Sequence, residues 1–168
     1  WLDPQGVARI RGLFAEGVAE SADVWRLHRR THYLGTRLEH GGWGREAVDR
    51  LFRNDLRYRP ALVHETLDLG DRRIGRLDVR IAHDTARSDA EYAAKLQRYA
   101  ALWAQQKHAS GRRAGPLSAL LHAAAYWTKN YLLRGGFLDG PRSRRYHALH
   151  ARYVYDKYRL LRDGMPAG

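Results

Sequence analysis

The chain has 168 residues, enough for one ordinary domain, and its 44% hydrophobic content is that of a globular protein. It contains no cysteine, which excludes disulfides, thiolate metal sites and cysteine nucleophiles. The formal net charge of +12 favours polyanionic partners such as nucleic acid, anionic lipid or phosphorylated sugars, although a solvated basic surface produces the same balance. No run approaches the ~20 apolar residues of a membrane span, and no signal-peptide pattern occurs.

The first half of the chain predicts one helix followed by several strands. Asp3 and Pro4 form an N-cap and first-turn pair, and apolar residues at helical spacing continue the helix to about residue 19. Four glycines make residues 35–46 an irregular loop, the kind of segment that carries binding groups. Strands are predicted at residues 24–28, 47–52, around 62–69 and, most clearly, 74–82.

The second half predicts three helices in succession. Ser88 and Glu91 form a capping box at the start of the first helix. A Gly/Arg linker leads to a second helix, which Gly135-Gly136 ends, and the third helix covers residues 141–161.

The order of these elements predicts an α/β fold in two parts. One helix covers a small sheet poorly, so we expect the remaining strands of the sheet to come from a segment outside this chain. Residues 1–86 would form a partial mixed sheet, and residues 87–168 would form a three-helix C-terminal extension.

Histidine–acid pairs are the main candidates for chemistry. In His64-Glu65 the carboxylate can take a proton from a nucleophile while the imidazole orients it, although a surface salt bridge is the commoner role of such a pair. Asp68 stands where a zinc-protease helix needs a second histidine. His83, followed by Asp84, ends the clearest strand, where it can reach a metal or phosphate or serve the turn that follows.

Other histidines and several arginines are weaker candidates. His147 and His150 have a ligand-like spacing but are expected on the surface of a helix. Arginines surround the Gly-rich loop and the strands after it, where guanidinium groups could bind a phosphate or simply be solvated. These arginines are Arg45, Arg50, Arg53, Arg57 and Arg59.

Residues 127–138 combine apolar and aromatic side chains with cations. Trp127, Tyr131 and Phe137 stand among leucines, and basic residues accompany them. Aromatic rings at headgroup depth with arginines near anionic lipid are typical of a protein at a bilayer surface. A helix stripe that packs into the core is the commoner explanation of such a pattern, and the sequence leaves both interpretations open.

Short stretches with a characteristic order run along nearly the whole chain. They are Trp1-Leu2-Asp3-Pro4, the loop from Gly35 to Trp43, Arg50-Leu51-Phe52-Arg53, Val63-His64-Glu65, Gly75-Arg76-Leu77, His83, Lys95 with Tyr99, Tyr131 to Gly140, and Lys157-Tyr158. Taken together they resemble the C-terminal half of bacterial family 2 glycosyltransferases, best known for the lipopolysaccharide core β-1,4-glucosyltransferases. The ordered set is far more specific than any one stretch.

This resemblance implies a GT-A fold that binds a nucleotide-sugar over a mixed sheet, with a divalent metal, Mg or Mn, held by an Asp-x-Asp motif. No Asp-x-Asp occurs in these 168 residues. We therefore expect the donor and metal half of the enzyme to precede Trp1, and we expect the chain by itself to be inactive.

The resemblance also implies roles for individual residues. Glu65 would be the base that deprotonates the acceptor hydroxyl in an inverting transfer, with His64 positioning it or the acceptor. His83 would be an additional ligand of the metal or the diphosphate. Acceptor and phosphate contacts would come from Trp43, Gly42 and Arg50.

The implied partners are a nucleotide-sugar donor and a glycan or lipid-linked acceptor. The aromatic and basic C-terminal part would place the enzyme in the cytoplasm, peripherally at the inner face of the cytoplasmic membrane. Nucleic acid is not an expected partner, because the basic residues are scattered and no recognised binding motif occurs. The rival functions are a nucleic-acid-binding module and a membrane-surface module without catalysis.

Overall fold

The computed structural model describes residues 1–44, 46–63 and 65–164, which form a small mixed sheet and four α-helices. The helices are α1 (Pro4–Ala15), α2 (Asp89–Ala109), α3 (Ser118–Tyr126) and α4 (Gly140–Asp163), and the strands are β1 (Val24–Tyr33), β2 (Thr36–Arg37), β3 (Ala47–Phe52) and β4 (Ile74–Asp84). The predicted α/β class is confirmed, and the likeness to a GT-A fold stays a prediction. No helix in the described part of the chain is long and apolar enough to cross a membrane.

The sheet is built around β1. On one side β4 pairs with β1 in parallel, and on the other side β3 and the short β2 pair with it antiparallel. Trp1 and Leu2 continue the sheet beyond β4, because Leu2 forms an antiparallel bridge with Ile81 and Trp1 exchanges backbone hydrogen bonds of 2.7 and 2.8 Å with Ala82. The parallel pairing of β1 with β4 brings their C-terminal ends to the same edge of the sheet, with Thr31 beside His83.

Helix α1 packs against one face of this sheet. Asp3 caps it as predicted, since its carboxylate accepts a hydrogen bond of 2.6 Å from the Gly6 amide. The helix ends at Ala15 and not at about residue 19, because Gly17 adopts a left-handed conformation with φ of 69°. Its apolar side joins a cluster formed by Leu13, Ala22, Trp25, Leu27 and Val79.

Helices α2 and α4 pack together and share a second cluster with the C-terminal end of β1. Tyr33 and Leu38 from the sheet side meet Tyr92, Leu96, Ala100, Tyr146 and Tyr153 from the helices. The rings of Tyr92 and Tyr146 stack with their centroids 5.4 Å apart. The Tyr33 hydroxyl donates to the Asp89 carboxylate, which also forms a 2.5 Å ion pair with Arg145. The sheet and the helical extension therefore share a core, and the division at residue 86 stays a prediction.

The predicted strand around residues 62–69 is wrong. The described residues between 62 and 69 form no strand; the segment instead folds back on itself, with the Arg59 amide bonded to Thr66 and the Asp68 amide bonded to Arg57. Pro60 lies in this loop and has no N–H to donate to a ladder.

The predicted second helix is present and ends before Gly135-Gly136, as predicted. It is α-helical to Tyr126 and continues as a π-helical segment, Trp127–Leu133, which a 3₁₀ turn, Gly136–Asp139, follows.

Candidate functional site

A cavity of about 320 Å³ lies where the C-terminal ends of β1 and β4 face helices α2 and α4. We call it the central cavity. The residues that line it are Arg29, Thr31, Trp43, His83, Thr85, Tyr92, Lys95, Leu96, Tyr99, Tyr146, His150 and Tyr153. It thus brings together two of the site residues selected from the sequence, Trp43 and His83.

His83 lies among cations at the sheet side of this cavity. Burial, and after it the positive charges of Arg29 and Lys95, lower the pKa of His83 below its ordinary value, so its imidazole is neutral near pH 7. Arg29 is held by Glu46 through two hydrogen bonds, one of 2.8 Å from Nε. The Lys95 ammonium lies 3.3 Å from the Thr85 carbonyl oxygen and has no acidic ion-pair partner among the described residues. Lys95 is therefore a free positive charge beside His83.

Aromatic side chains from the helices and the Gly-rich loop form another part of the cavity lining. Trp43 packs edge-on against Tyr146 with 5.4 Å between ring centroids, and the Tyr92 hydroxyl lies 2.5 Å from His150 Nε2. Burial lowers the pKa of His150 to about 3, so this imidazole also stays neutral. Flat rings with a few polar groups are the surface that a sugar ring or a nucleobase packs against.

Two polar residues of the cavity lining carry a buried group without a protein partner. Within the described residues the Thr31 hydroxyl and the Trp43 indole nitrogen make no hydrogen bond, although Thr31 is only 1% exposed. Leaving a buried polar group unpaired costs about 1–3 kcal/mol. Both atoms are closed off from solvent, so they lie behind the cavity surface and destabilise the fold slightly without offering a contact to a ligand.

Glu65 lies on the loop between β3 and β4, exposed to solvent. It lines a small cavity of about 130 Å³ together with Leu62, Val63 and Tyr99. Tyr99 also lines the central cavity, whereas Glu65 itself does not. His64 and Arg45 fall outside the described residues.

The structure places Gly42 and Arg50 elsewhere. Gly42 lines a separate open cavity of about 540 Å³ with Glu39, His40, Gly44 and Arg134. Arg50 is exposed on β3, where its guanidinium donates a 3.0 Å hydrogen bond to the Tyr58 hydroxyl. Neither residue lines the central cavity, and their predicted contacts with acceptor or phosphate stay predictions.

His147 holds the Gly-rich loop against the helices. The expectation that His147 lies on a helix surface is wrong, because its side chain is 0% exposed. A Cβ atom at Gly41 would lie 2.5 Å from its ring, and one at Gly136 would lie 2.6 Å from it. The close approach explains why glycine occupies both positions. The prediction failed because the burial of His147 depends on residues about 100 positions away in the sequence.

Asp139 provides the second anchor of this loop. Its carboxylate accepts hydrogen bonds from the backbone amides of Glu39 and His40 at 3.0 and 2.9 Å, and it lies 2.6 Å from His40 Nδ1. The loop is thereby fixed just before Trp43, which allows the indole to reach the central cavity.

The described residues offer a poor site for a metal by themselves. Among them no three His, Asp or Glu side chains come close enough to hold an ion. The neighbours of His83 in the cavity include Arg29 and Lys95, which favour an anion over a cation. The predicted Mg or Mn ion stays a prediction, and no step proposed below depends on it.

Sequence reasoning missed several residues of the central cavity. Tyr92 and Leu96 were not selected from the sequence, and Lys95 and Tyr99 were named only as part of the family resemblance, yet all of them line the cavity. The signal was a lysine on the same helical face as two tyrosines. The contribution of His150 had no such signal, because α4 meets α2 only in the folded chain.

No protein-family model matches this chain, and no solved structure matches it at a significant level.

Proposed function

We propose that the chain is the acceptor-side half of an inverting glycosyltransferase that transfers a sugar from a nucleotide-sugar to a glycan or lipid-linked acceptor. The observation that carries the proposal is the central cavity. It joins Trp43 and His83, selected from the family resemblance, to the free cation of Lys95. Glu65 lines a smaller cavity that has Tyr99 in common with the central cavity.

The proposed transfer needs a base for the acceptor hydroxyl and a positive charge for the leaving group. An acceptor hydroxyl oxygen forms a bond to the anomeric carbon of the donor sugar, and its proton goes to the Glu65 carboxylate. The bond from that carbon to the diphosphate oxygen breaks, and its electron pair leaves with the nucleoside diphosphate. Negative charge on the leaving group grows during this step, so a fixed cation beside it lowers the barrier. Lys95 supplies such a charge, and neutral His83 can donate a hydrogen bond.

The polar and aromatic groups of the cavity suit the positioning of a sugar. Trp43 and Tyr99 line the cavity with aromatic rings, and Lys95 and His83 line it with polar groups. Sugar rings present both apolar C–H faces and hydroxyl groups, which such a combination can hold in one orientation.

Binding of inorganic pyrophosphate tests the anion site in the 168-residue chain. Lys95→Gln should weaken pyrophosphate binding, measured by isothermal titration calorimetry, by about tenfold, because it removes the unpaired charge in the cavity. Lys107→Gln is the matched control, since it removes a lysine charge from the same helix at a position that does not line the cavity. Equal affinities for the two variants would contradict the assignment of the cavity.

The role of Glu65 as the base is tested by measuring sugar transfer with the whole protein that the gene encodes. Glu65→Gln should lower kcat by about 10²–10⁴-fold, with little change in donor affinity, because the amide cannot accept the proton. Glu16→Gln is the control and should leave transfer unchanged, because Glu16 is exposed at the C-terminal end of α1. A Glu65→Gln enzyme with wild-type kcat would refute the role of Glu65.

A further inference from the structure

Helix α3 exposes a row of leucines to solvent. Leu117, Leu120 and Leu121 are 60–64% exposed, and their spacing of three and four residues places them on one side of the helix. Ala119 is buried on the opposite side, where α3 packs against α4. This side of α3 therefore faces solvent and does not pack into the core.

The exposed row continues past α3. In the π-helical segment Leu132 and Leu133 are exposed, Leu133 by 80%, and in the following 3₁₀ turn Phe137 and Leu138 are exposed as well. Ring contacts connect the two parts, since Tyr131 lies 4.3 Å from Trp127 and 6.3 Å from Phe137 between centroids. We call the exposed set the apolar face; it consists of Leu117, Leu120, Leu121, Leu132, Leu133, Phe137 and Leu138.

The segment that carries the apolar face has formal charges of one sign. Residues 117–138 contain Lys129 and Arg134 and no Asp or Glu. Both cations are exposed, and neither has an acidic ion-pair partner in the described ranges. Arg134 bonds only to the neutral side chain of Asn130, at 3.2 Å, among those residues. The face therefore combines apolar surface with unneutralised positive charge.

We propose that the apolar face rests in the headgroup layer of an anionic lipid bilayer. The leucines and Phe137 would enter the acyl boundary, and Trp127 and Tyr131 would lie at headgroup depth, where aromatic rings are favoured. Lys129 and Arg134 would meet lipid phosphates. This inference does not depend on the proposed sugar transfer.

Charge complementarity selects a bilayer over a second copy of the chain. A symmetric dimer through this face would bring Lys129 and Arg134 of one copy close to the same residues of the other. Like charges brought together without acidic partners destabilise a contact, whereas an anionic membrane neutralises them.

A cysteine label tests insertion directly, because the chain has no cysteine of its own. Leu133→Cys carrying a polarity-sensitive fluorophore should shift its emission to the blue with vesicles of phosphatidylcholine and about 30% phosphatidylglycerol. Leu62→Cys, at another exposed leucine, is the control and should show no shift. A shift at both sites, or at neither, would overturn the proposal.

Vesicle sedimentation separates the apolar contribution from the charge contribution. Leu133→Glu should lower the partition coefficient by about tenfold or more, while Leu62→Glu should not change it. Lys129→Gln with Arg134→Gln should lower binding to anionic vesicles by about fivefold for each charge removed. The pair Arg76→Gln and Arg80→Gln removes the same charge from exposed positions on β4 and should have less effect.

Two results would overturn the proposal in these experiments. Equal losses for the two charge pairs would mean that net charge, and not this face, attracts the vesicles. A dimer seen by light scattering that Leu133→Glu dissociates, without lipid binding by the parent chain, would assign the face to a second copy.

Discussion

Buried histidines should make the stability of the fold sensitive to mild acid. His147 is fully buried, with its Nδ1 3.1 Å from the Tyr126 hydroxyl, and His150 is enclosed by aromatic rings at the central cavity. Burial lowers the pKa of His147 to about 4 and that of His150 to about 3 from an ordinary value of 6.5. Both pKa values lie below those of the unfolded chain, so the unfolded chain binds more protons and stability falls as the pH falls below 6.5.

The size of the effect follows from these pKa values. Each pH unit between the folded and unfolded pKa of a histidine costs about 1.4 kcal/mol. Between pH 6.5 and about 5 each of the two sites should therefore lose about 2 kcal/mol, and together they should lose about 3–4 kcal/mol of unfolding free energy. The loss for each site should level off once the pH passes below its folded pKa. A typical domain has about 5–15 kcal/mol in all, so the loss is a large share.

Urea unfolding followed by circular dichroism at about pH 7 and about pH 5 measures this difference. His150→Gln should remove about half of the pH dependence, because glutamine does not titrate in this range. His28→Gln replaces an exposed histidine and should keep the full dependence. A loss below about 1 kcal/mol in the parent chain, or the same dependence in His150→Gln, would refute the reasoning.

Other substitutions test the anchoring of the Gly-rich loop and the start of α2. Gly41→Ala should lower the free energy of unfolding by about 2–4 kcal/mol, because the new methyl group would lie 2.5 Å from the His147 ring. Gly17→Ala has a similar φ of 69° and open space around it, so thermal unfolding should show a cost of only about 1 kcal/mol; equal losses would contradict the clash. Ser88→Ala should cost about 1 kcal/mol in urea unfolding, because the Ser88 hydroxyl accepts a 3.1 Å hydrogen bond from the Glu91 amide; an unchanged midpoint would contradict that contribution.

Features with local causes were predictable. The caps at Asp3 and Ser88 act within three residues of the helix start, and both are present as predicted. The alternation of apolar and charged residues from 74 to 82 predicted β4, because the two faces of a strand differ in exposure whichever strand it pairs with. The α/β class followed from the order of such elements.

The candidate site could be predicted only in part. His83 was found because it ends a strand recognisable from its own residues, and Trp43 because glycines mark its loop and the resemblance includes it. Lys95 and His150 reach the same cavity from two helices that are more than 50 residues apart, and no local pattern indicates that meeting.

Burial was the property that only the tertiary structure decided. Leu117, Leu120 and Leu121 share one side of α3, and that side faces solvent because α4 packs against the other side. His147 was expected on a helix surface, yet it is buried because Gly41 and Gly136 close over it. By itself the sequence determined which segments form helices and strands, since caps and periodicity act over a few residues. Which face of a helix is buried depends on contacts with segments that are distant in the chain, and only the tertiary structure establishes those contacts.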